Sequence, residues 1–524
     1  MPLKRLFLIG IFLVFALSAV FSTLFSCTEF YRNKSHPEIT NQSIRRGKAL
    51  SSKYCGTCHL EPDPSLLDSK TWENGVLPQM GPRLGIFEHW FKEYPSERHN
   101  RNLDRSYYPS KPLLSFDDWQ HIINYYIATS PDSLSINYAR KTLKTTHLFK
   151  VEIPSIDYQM PATGLVKFAR LSQTPELIIS DVLRNRLYRF GSELQCFDSI
   201  KTSGPIVDLD IENGALYGCN IGQLNPHIGK LGSTESFVIN AAGKLGTGSG
   251  SNLKGLERPV QLIREDFNLD GKPDFLVCEF GYLTGALSLM IAKSDVEYDR
   301  HIISTMPGAI KAYTGGYNND KLPDIWVLFA QGDEGIYLFK NLGNGKFDEQ
   351  RILRFPPSYG SSFFELVDFN KDGYSDIVYT AGDNADFSPI LKPYHGVYIF
   401  QNDGKNNFKQ EFFYPINGCY KALARDFDKD GDLDIATISF FADYKNNPQE
   451  SFVYLENQGE LEFTPYSIPQ ASDGRRLTMD AGDIDKDGRI DLVLGNFSVA
   501  PAINKMEEKW QKGPAFIVLK NISK

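Results

Sequence analysis

A small all-α domain followed by a much larger all-β repeat array is the architecture this 524-residue sequence predicts. Three observations predict it. Four segments between residues 266 and 491 share the pattern D-x-[DN]-x-D-G-x-x-D, each leading into an apolar β-type run. Two stretches between residues 41 and 135 read as helices instead, the second with a cap and helical apolar spacing. Between those stretches stands Cys55-Gly56-Thr57-Cys58-His59, a pentapeptide whose residue types at that spacing are a chemical signature. The boundaries read as 1–26 for an export signal, 27–40 for a tether, 41–135 for the helical domain, 136–160 for a linker and 161–524 for the repeat array.

At the amino end, Lys4 and Arg5 precede an apolar run from Leu6 to Phe25, closed by Ser26-Cys27. A cationic start, an apolar stretch and small residues at its end form an export signal. Leu24-Phe25-Ser26-Cys27 resembles the bacterial lipobox, although Phe25 departs from the small or aliphatic residue usual at its place. The resemblance implies lipidation of Cys27 and a lipid anchor in a bacterial membrane. An uncleaved anchor is the alternative, since about 20 apolar residues span a bilayer. Both readings put residues 28 onward outside the cytoplasm, in the periplasm or at the outer membrane and cell surface, tethered to a membrane.

In the helical domain, Ile44 to Tyr54 reads as a first helix. Ser115 caps a second, Asp118 completes a capping-box-like start, and Ser130-Pro131 ends it. Trp119, Ile122, Ile123 and Tyr126 form its apolar face. Two thiols separated by two residues can both reach the vinyl edge of a porphyrin, and the following His59 is then held as an axial iron ligand. A thioredoxin-like pair would need a βαβ context and a zinc site a second ligand pair; neither is visible. A helix entering CxxCH and a terminal helix with an aromatic face resemble a class I c-type cytochrome, in which the two helices cross; Gly47 would permit that crossing. The resemblance implies one covalent haem c on Cys55 and Cys58, with His59 axial and Met80 as the second axial ligand. Met80 is the only Met between His59 and Met160, in Leu77-Pro78-Gln79-Met80-Gly81-Pro82. A thioether there raises the iron potential relative to His. His89, His99 and His121 are its rivals, and Trp72 and Arg83 are placed near the haem propionates.

In the repeat array, the copies begin at Asp266, Gly316, Asp368, Asp426 and Asp483, at intervals of 50, 52, 58 and 57 residues. Alternate acidic side chains, a Gly for the turn and a closing Asp make an oxygen shell for a hard cation. About four Ca²⁺ loops follow: Asp266, Asn268, Asp270 and Asp274; Asp368, Asn370, Asp372 and Asp376; Asp426, Asp428, Asp430 and Asp434; Asp483, Asp485, Asp487 and Asp491. The copy at 316 is weakened by Gly316 and Lys321. Turns in which Asp bonds only backbone are the alternative. The array resembles the FG-GAP/VCBS repeats of integrin-α-like β-propellers, with four strands per blade. Two further blades, around Val166–Phe190 and from Asp208, complete a seven-bladed propeller, with 148–153 a linker or a ring-closing strand.

In such blades the Asp loop joins the first two strands, so the loops joining the second and third strands gather on the opposite face. Several of these are long and polar, which marks a binding surface. Asp383, Asp386, Lys392, His395 and Asp443 are its candidate residues, each with a surface loop charge or a loop-locking hydrogen bond as the alternative. A net charge of −8 argues against nucleic acid as a partner. Cys196, Cys219, Cys278 and Cys419 are scattered singly, with Cys278 a buried hydrophobe. The expected function is electron transfer by a membrane-tethered cytochrome to or from a redox partner protein or a small-molecule donor, the propeller binding a partner or ligand. The alternative is a propeller dehydrogenase of a small alcohol or sugar that passes electrons to the haem.

Overall fold

Helices α1 (Asn41–Tyr54) and α2 (Phe116–Thr129) cross at Gly47, where a Cβ would stand 1.9 Å from the carbonyl oxygen of His121. Only glycine lets the two backbones approach so closely. Ser115 caps the second helix as its sequence predicts, its Oγ accepting from the Asp118 amide at 3.1 Å, and Thr40 Oγ1 caps the first, accepting from the Ser43 amide at 3.2 Å. The computed structural model describes residues 31–135, 143–156, 159–171, 174–212, 214–250, 253–317, 320–385, 387–499 and 508–523. The export signal, Cys27 and Asp386 lie outside the described residues. Among the described residues, no helix is long and apolar enough to cross a membrane.

The core of the helical domain is Ile44, Trp72, Leu77, Trp119, Ile122 and Tyr126, with helical turns over 69–84 packed against both helices. Burying each such side chain contributes about 1.5–3 kcal/mol. A short hairpin, Glu88–His89 with Lys92–Glu93, exposes Trp90 and Phe91 at its tip.

The remainder is a seven-bladed β-propeller of four-stranded antiparallel sheets. Blade 1 begins at Thr163, blade 2 at Ile206, blade 3 at Pro259, blade 4 at Ala309, blade 5 at Ser361, blade 6 at Cys419 and blade 7 at Arg476. Second strands such as Asp324–Phe329 are buried along their whole length, because neighbouring blades cover both faces. Outer strands such as Tyr298–Ser304 are largely exposed. Blade 7 takes its outermost strand, Phe149–Glu152, from the segment before blade 1, pairing Leu519 with Val151. The ring-closing reading of 148–153 is therefore the one the structure adopts, and Lys144–Thr145 adds a parallel edge to blade 6. The strands that join the propeller thus begin inside the span read as a linker, at Lys144.

The innermost strands are latched from blade to blade around the ring. Gln261 of blade 3 exchanges bonds with the Ala312 backbone of blade 4, at 2.6 and 3.2 Å. Lys421 Nζ donates to the Met479 carbonyl at 2.8 Å, and Asp480 accepts from the Phe168 amide at 2.8 Å, joining blade 6 to 7 and 7 to 1.

Candidate functional site: a cavity between the two domains

Helix α1 runs into a 3₁₀ turn, Cys55–Thr57, that delivers Cys55, Cys58 and His59 to one cavity of about 300 Å³. Met80, Trp72, Leu77, Leu84, Trp119 and Tyr126 line it from the rest of the helical domain. The lining is not confined to that domain. Tyr282, Leu283, Gln331 and Phe387, from propeller loops, also line it.

The His59 ring is oriented by its Nδ1, 2.9 Å from the Leu60 carbonyl. A carbonyl can only accept, so Nδ1 carries the proton and Nε2 keeps its lone pair for a metal. Burial pushes the Cys55 thiol up to about 11, outweighing the hydrogen bond from Ser51 that pulls it down. A dithiol redox pair needs a depressed thiol pKa, so this environment disfavours thiol–disulfide chemistry. Among the described residues, no third acid, Cys or His closes on this pair to make a zinc-type cluster. The donor set and the apolar walls fit a covalently held haem.

The rival histidines are engaged elsewhere and do not line the cavity. His89 Nε2 meets Gln120 at 2.8 Å with its ring stacked on Phe116; His99 Nε2 accepts from Arg98 at 3.1 Å; His121 Nδ1 meets Ser43 Oγ at 2.7 Å. Trp72 lines the cavity, but its indole N–H donates to the Pro64 carbonyl at 2.9 Å and its ring packs on Tyr126. That bond engages its only polar hydrogen within the helical domain. Arg83 does line the cavity, with its guanidinium 4.7 Å from the Tyr107 ring centroid. Its side chain is exposed at the cavity rim, and among the described residues no carboxylate pairs with it.

The propeller-loop candidates do not form one open site. Lys392 and His395 are buried, Lys392 Nζ donating to Asn384 Oδ1 at 2.8 Å. Burial drives the His395 pKa well below its usual value, so it is a neutral core residue. Asp443 is 9% exposed and accepts from the side chains of Asn446 and Asn447, at 3.0 and 3.1 Å, locking its own loop. Asp383 accepts from the Ala385 amide at 2.9 Å. Lys392 and Asp443 thus take the loop-locking alternative, holding long loops in shape. Which atoms of these long polar insertions are accessible depends on packing.

The Asp loops lie on the other face, joining first to second strands. Oxygens of Asp426, Asp428 and Asp430 approach within 4.8 Å of one another, as do those of Asp483, Asp485 and Asp491. In the loops at 266, 368 and 483, the first Asp takes two backbone amides; Asp266, for example, accepts from Asp270 and Gly271 at 3.1 and 2.8 Å. The closing Asp is fully or almost fully buried in all five copies. One Asp491 oxygen accepts from the Ile484 amide at 3.1 Å and the other from the Asn521 amide at 2.8 Å. Asp274, Asp376 and Asp434 repeat this two-sided latch, so each ties its loop to the blade's third strand. In the degraded copy Lys321 stands at the glycine position with φ +72°, a left-handed conformation costly for a side-chain-bearing residue.

All six described cysteines are unpaired, and Cys219, Cys278 and Cys419 are buried.

Comparison with known proteins agrees with the propeller. Residues 316–379 match the family model of an FG-GAP-like repeat. No curated protein matches the chain. Two solved structures of BBS1N in complex with ARL6DN, one soaked with mercury and one with lead, align with it at TM-scores of 0.43 and 0.44. They are 9% and 10% identical to it, covering 72% and 73% of this chain and 98% and 99% of their own. The strand order by itself defines a seven-bladed β-propeller joined to a small helical domain, and residues 316–379 of that propeller match an FG-GAP-like repeat.

Proposed function

We propose that this protein is an exported, membrane-tethered c-type cytochrome that transfers electrons, with a Ca²⁺-binding propeller that docks a partner or ligand. The observation that carries the reading is the convergence of Cys55, Cys58, His59 and Met80 on one apolar-walled cavity. Cys55 and Cys58 would hold the haem by thioethers, with His59 and Met80 as axial ligands. When bound, the haem supplies a one-electron couple. The chain's own part is to orient His59 through the Leu60 carbonyl and to exclude water with Trp72, Leu77, Trp119 and Tyr126.

In the same reading, the loops at 266, 368, 426 and 483 take Ca²⁺, and Cys27 carries the lipid that holds the protein to the membrane. Two carboxylate clusters of ligating proximity support the calcium assignment.

The test is expression of the full chain in a host that exports it and attaches haem to CxxCH motifs. A haem band that survives denaturing electrophoresis, and is lost from Cys55→Ser/Cys58→Ser, is expected. A well-folded exported protein with no covalent haem would overturn the reading.

A further inference from the structure

The cavity is built by both domains. Tyr282 and Leu283 come from the second-to-third-strand loop of blade 3, Gln331 from that of blade 4 and Phe387 from that of blade 5. The seam is specific beyond the cavity rim. Tyr107 Oη donates to the Leu283 carbonyl at 3.2 Å, and Tyr394 Oη to the Leu66 carbonyl at 2.9 Å. Ile390 packs into the core of the helical domain. At Gly75 a Cβ would stand 2.3 Å from the Phe387 carbonyl oxygen, so the helical turns over 69–84 rest directly on that loop.

One buried polar atom in this cavity lacks a partner, and one cation at its rim faces no carboxylate among the described residues. The Gln331 carboxamide oxygen is buried with no hydrogen bond. Arg83 lines the cavity from its exposed rim, with its guanidinium over the Tyr107 ring, and among the described residues no carboxylate pairs with it. Arg83 and Cys58 line the same cavity, so a group tethered at Cys58 lies within the space Arg83 faces.

We propose that the propeller's loops are the second wall of the haem pocket, and that Arg83 at the seam is the counter-charge for the haem carboxylates, so that attaching haem fastens the two domains together. This rests on the haem reading above and adds to it that the propeller is part of the cofactor site. It assigns Arg83 as a positioning residue and makes the loops around Leu283, Gln331 and Phe387 determinants of the iron's environment. Burial and neighbouring charge are both levers on a haem potential.

The test uses full-length haem-loaded protein, its reduction potential against pH, and its melting followed separately at the haem band and by the near-ultraviolet signal of the propeller. Gly75→Leu places a side chain against the Phe387 carbonyl without touching Cys55, Cys58, His59 or Met80. It is expected to leave the axial-ligand spectrum unchanged, to lower the potential as water reaches the haem, and to split one melting transition into two. Arg83→Gln is expected to lower the potential, because losing a nearby cation favours the ferric state. It should also make the potential fall as pH rises from 5 to 8, as a carboxylate freed of its partner titrates; Arg83→Lys should restore most of the wild-type profile. Haem attached, with Gly75→Leu and Arg83→Gln both at the wild-type potential and melting profile, would overturn the proposal while leaving the cytochrome reading standing. Absence of covalent haem from the wild-type protein would overturn both.

Discussion

The phenol of Tyr394 donates a 2.9 Å hydrogen bond to the carbonyl of Leu66, joining a propeller loop to the segment that follows the CxxCH motif. The donor is largely buried and stacks on Tyr359 at 4.7 Å between centroids, so the bond forms in a poorly solvated seam. Tyr394→Phe keeps the stack and removes the bond. A loss of about 1 kcal/mol is expected in chemical denaturation, with no change in the propeller's far-ultraviolet spectrum.

Gly47→Ala tests the helix crossing. The added methyl would overlap the His121 carbonyl, which belongs to backbone and cannot rotate away. Forcing the two helices apart should cost at least 1–3 kcal/mol. Thermal melting of the helical domain should fall accordingly, while a Gly-to-Ala change at exposed Gly56 should not move it.

Axial ligation separates two candidates cleanly. With haem attached, Met80→Ala should abolish the thioether-to-iron charge-transfer band and lower the potential, since a thioether ligand raises it. His89→Ala, whose ring contacts Gln120 and Phe116, should leave both unchanged. An unaltered spectrum in Met80→Ala would exclude Met80 as a ligand.

Lys311 gives the propeller a pH signature. It faces Asp208, Lys421, Lys167 and Cys278, and burial lowers its pKa from 10.5 to about 8 despite the attraction of Asp208. Between about pH 8 and 10.5 the unfolded chain holds this proton and the folded chain does not, so stability rises with pH across that window. Below pH 8 both states are protonated and the full cost of the buried charge is present. Lys311→Met should stabilise the protein at pH 7 by on the order of a few kcal/mol and flatten the rise. Denaturation midpoints at pH 7 and 10 for both proteins check it.

Calcium and the closing Asp can be separated. Chelator is expected to lower the melting temperature of the wild-type propeller, and Asp428→Asn to remove part of that response. Asp491→Asn should destabilise even in chelator, because its two carboxylate oxygens serve the Ile484 and Asn521 amides whether or not a cation is present. A melting temperature indifferent to chelator would reject the calcium loops while leaving the latch intact.

Much of the fold was legible because its determinants are local. Asp loops, β runs and their 50–58-residue spacing foretold seven blades, and the strand at 149–152 was recognised as one of two things it could be. Gly47 and Ser115 act at a single crossing or within a turn, and the structure uses them so. The candidate loop residues fared differently. Lys392 and His395 have the composition of a binding site, but burial depends on what packs above a loop, which spacing does not encode. Trp72 likewise reached the cavity with its N–H already committed to Pro64.

What the sequence by itself determined about this protein is a chemistry carried by short spans: a CxxCH motif between two helices, and a repeated acidic loop ahead of a buried strand. Tertiary structure alone decided that the strand at Phe149–Glu152 closes blade 7, and that Tyr282, Leu283, Gln331 and Phe387 share a cavity with Cys58 and His59. Those residues lie more than 200 positions from the motif they face. Their meeting is set by the packing of a whole domain against another, where each contact is weak and only the sum fixes the geometry.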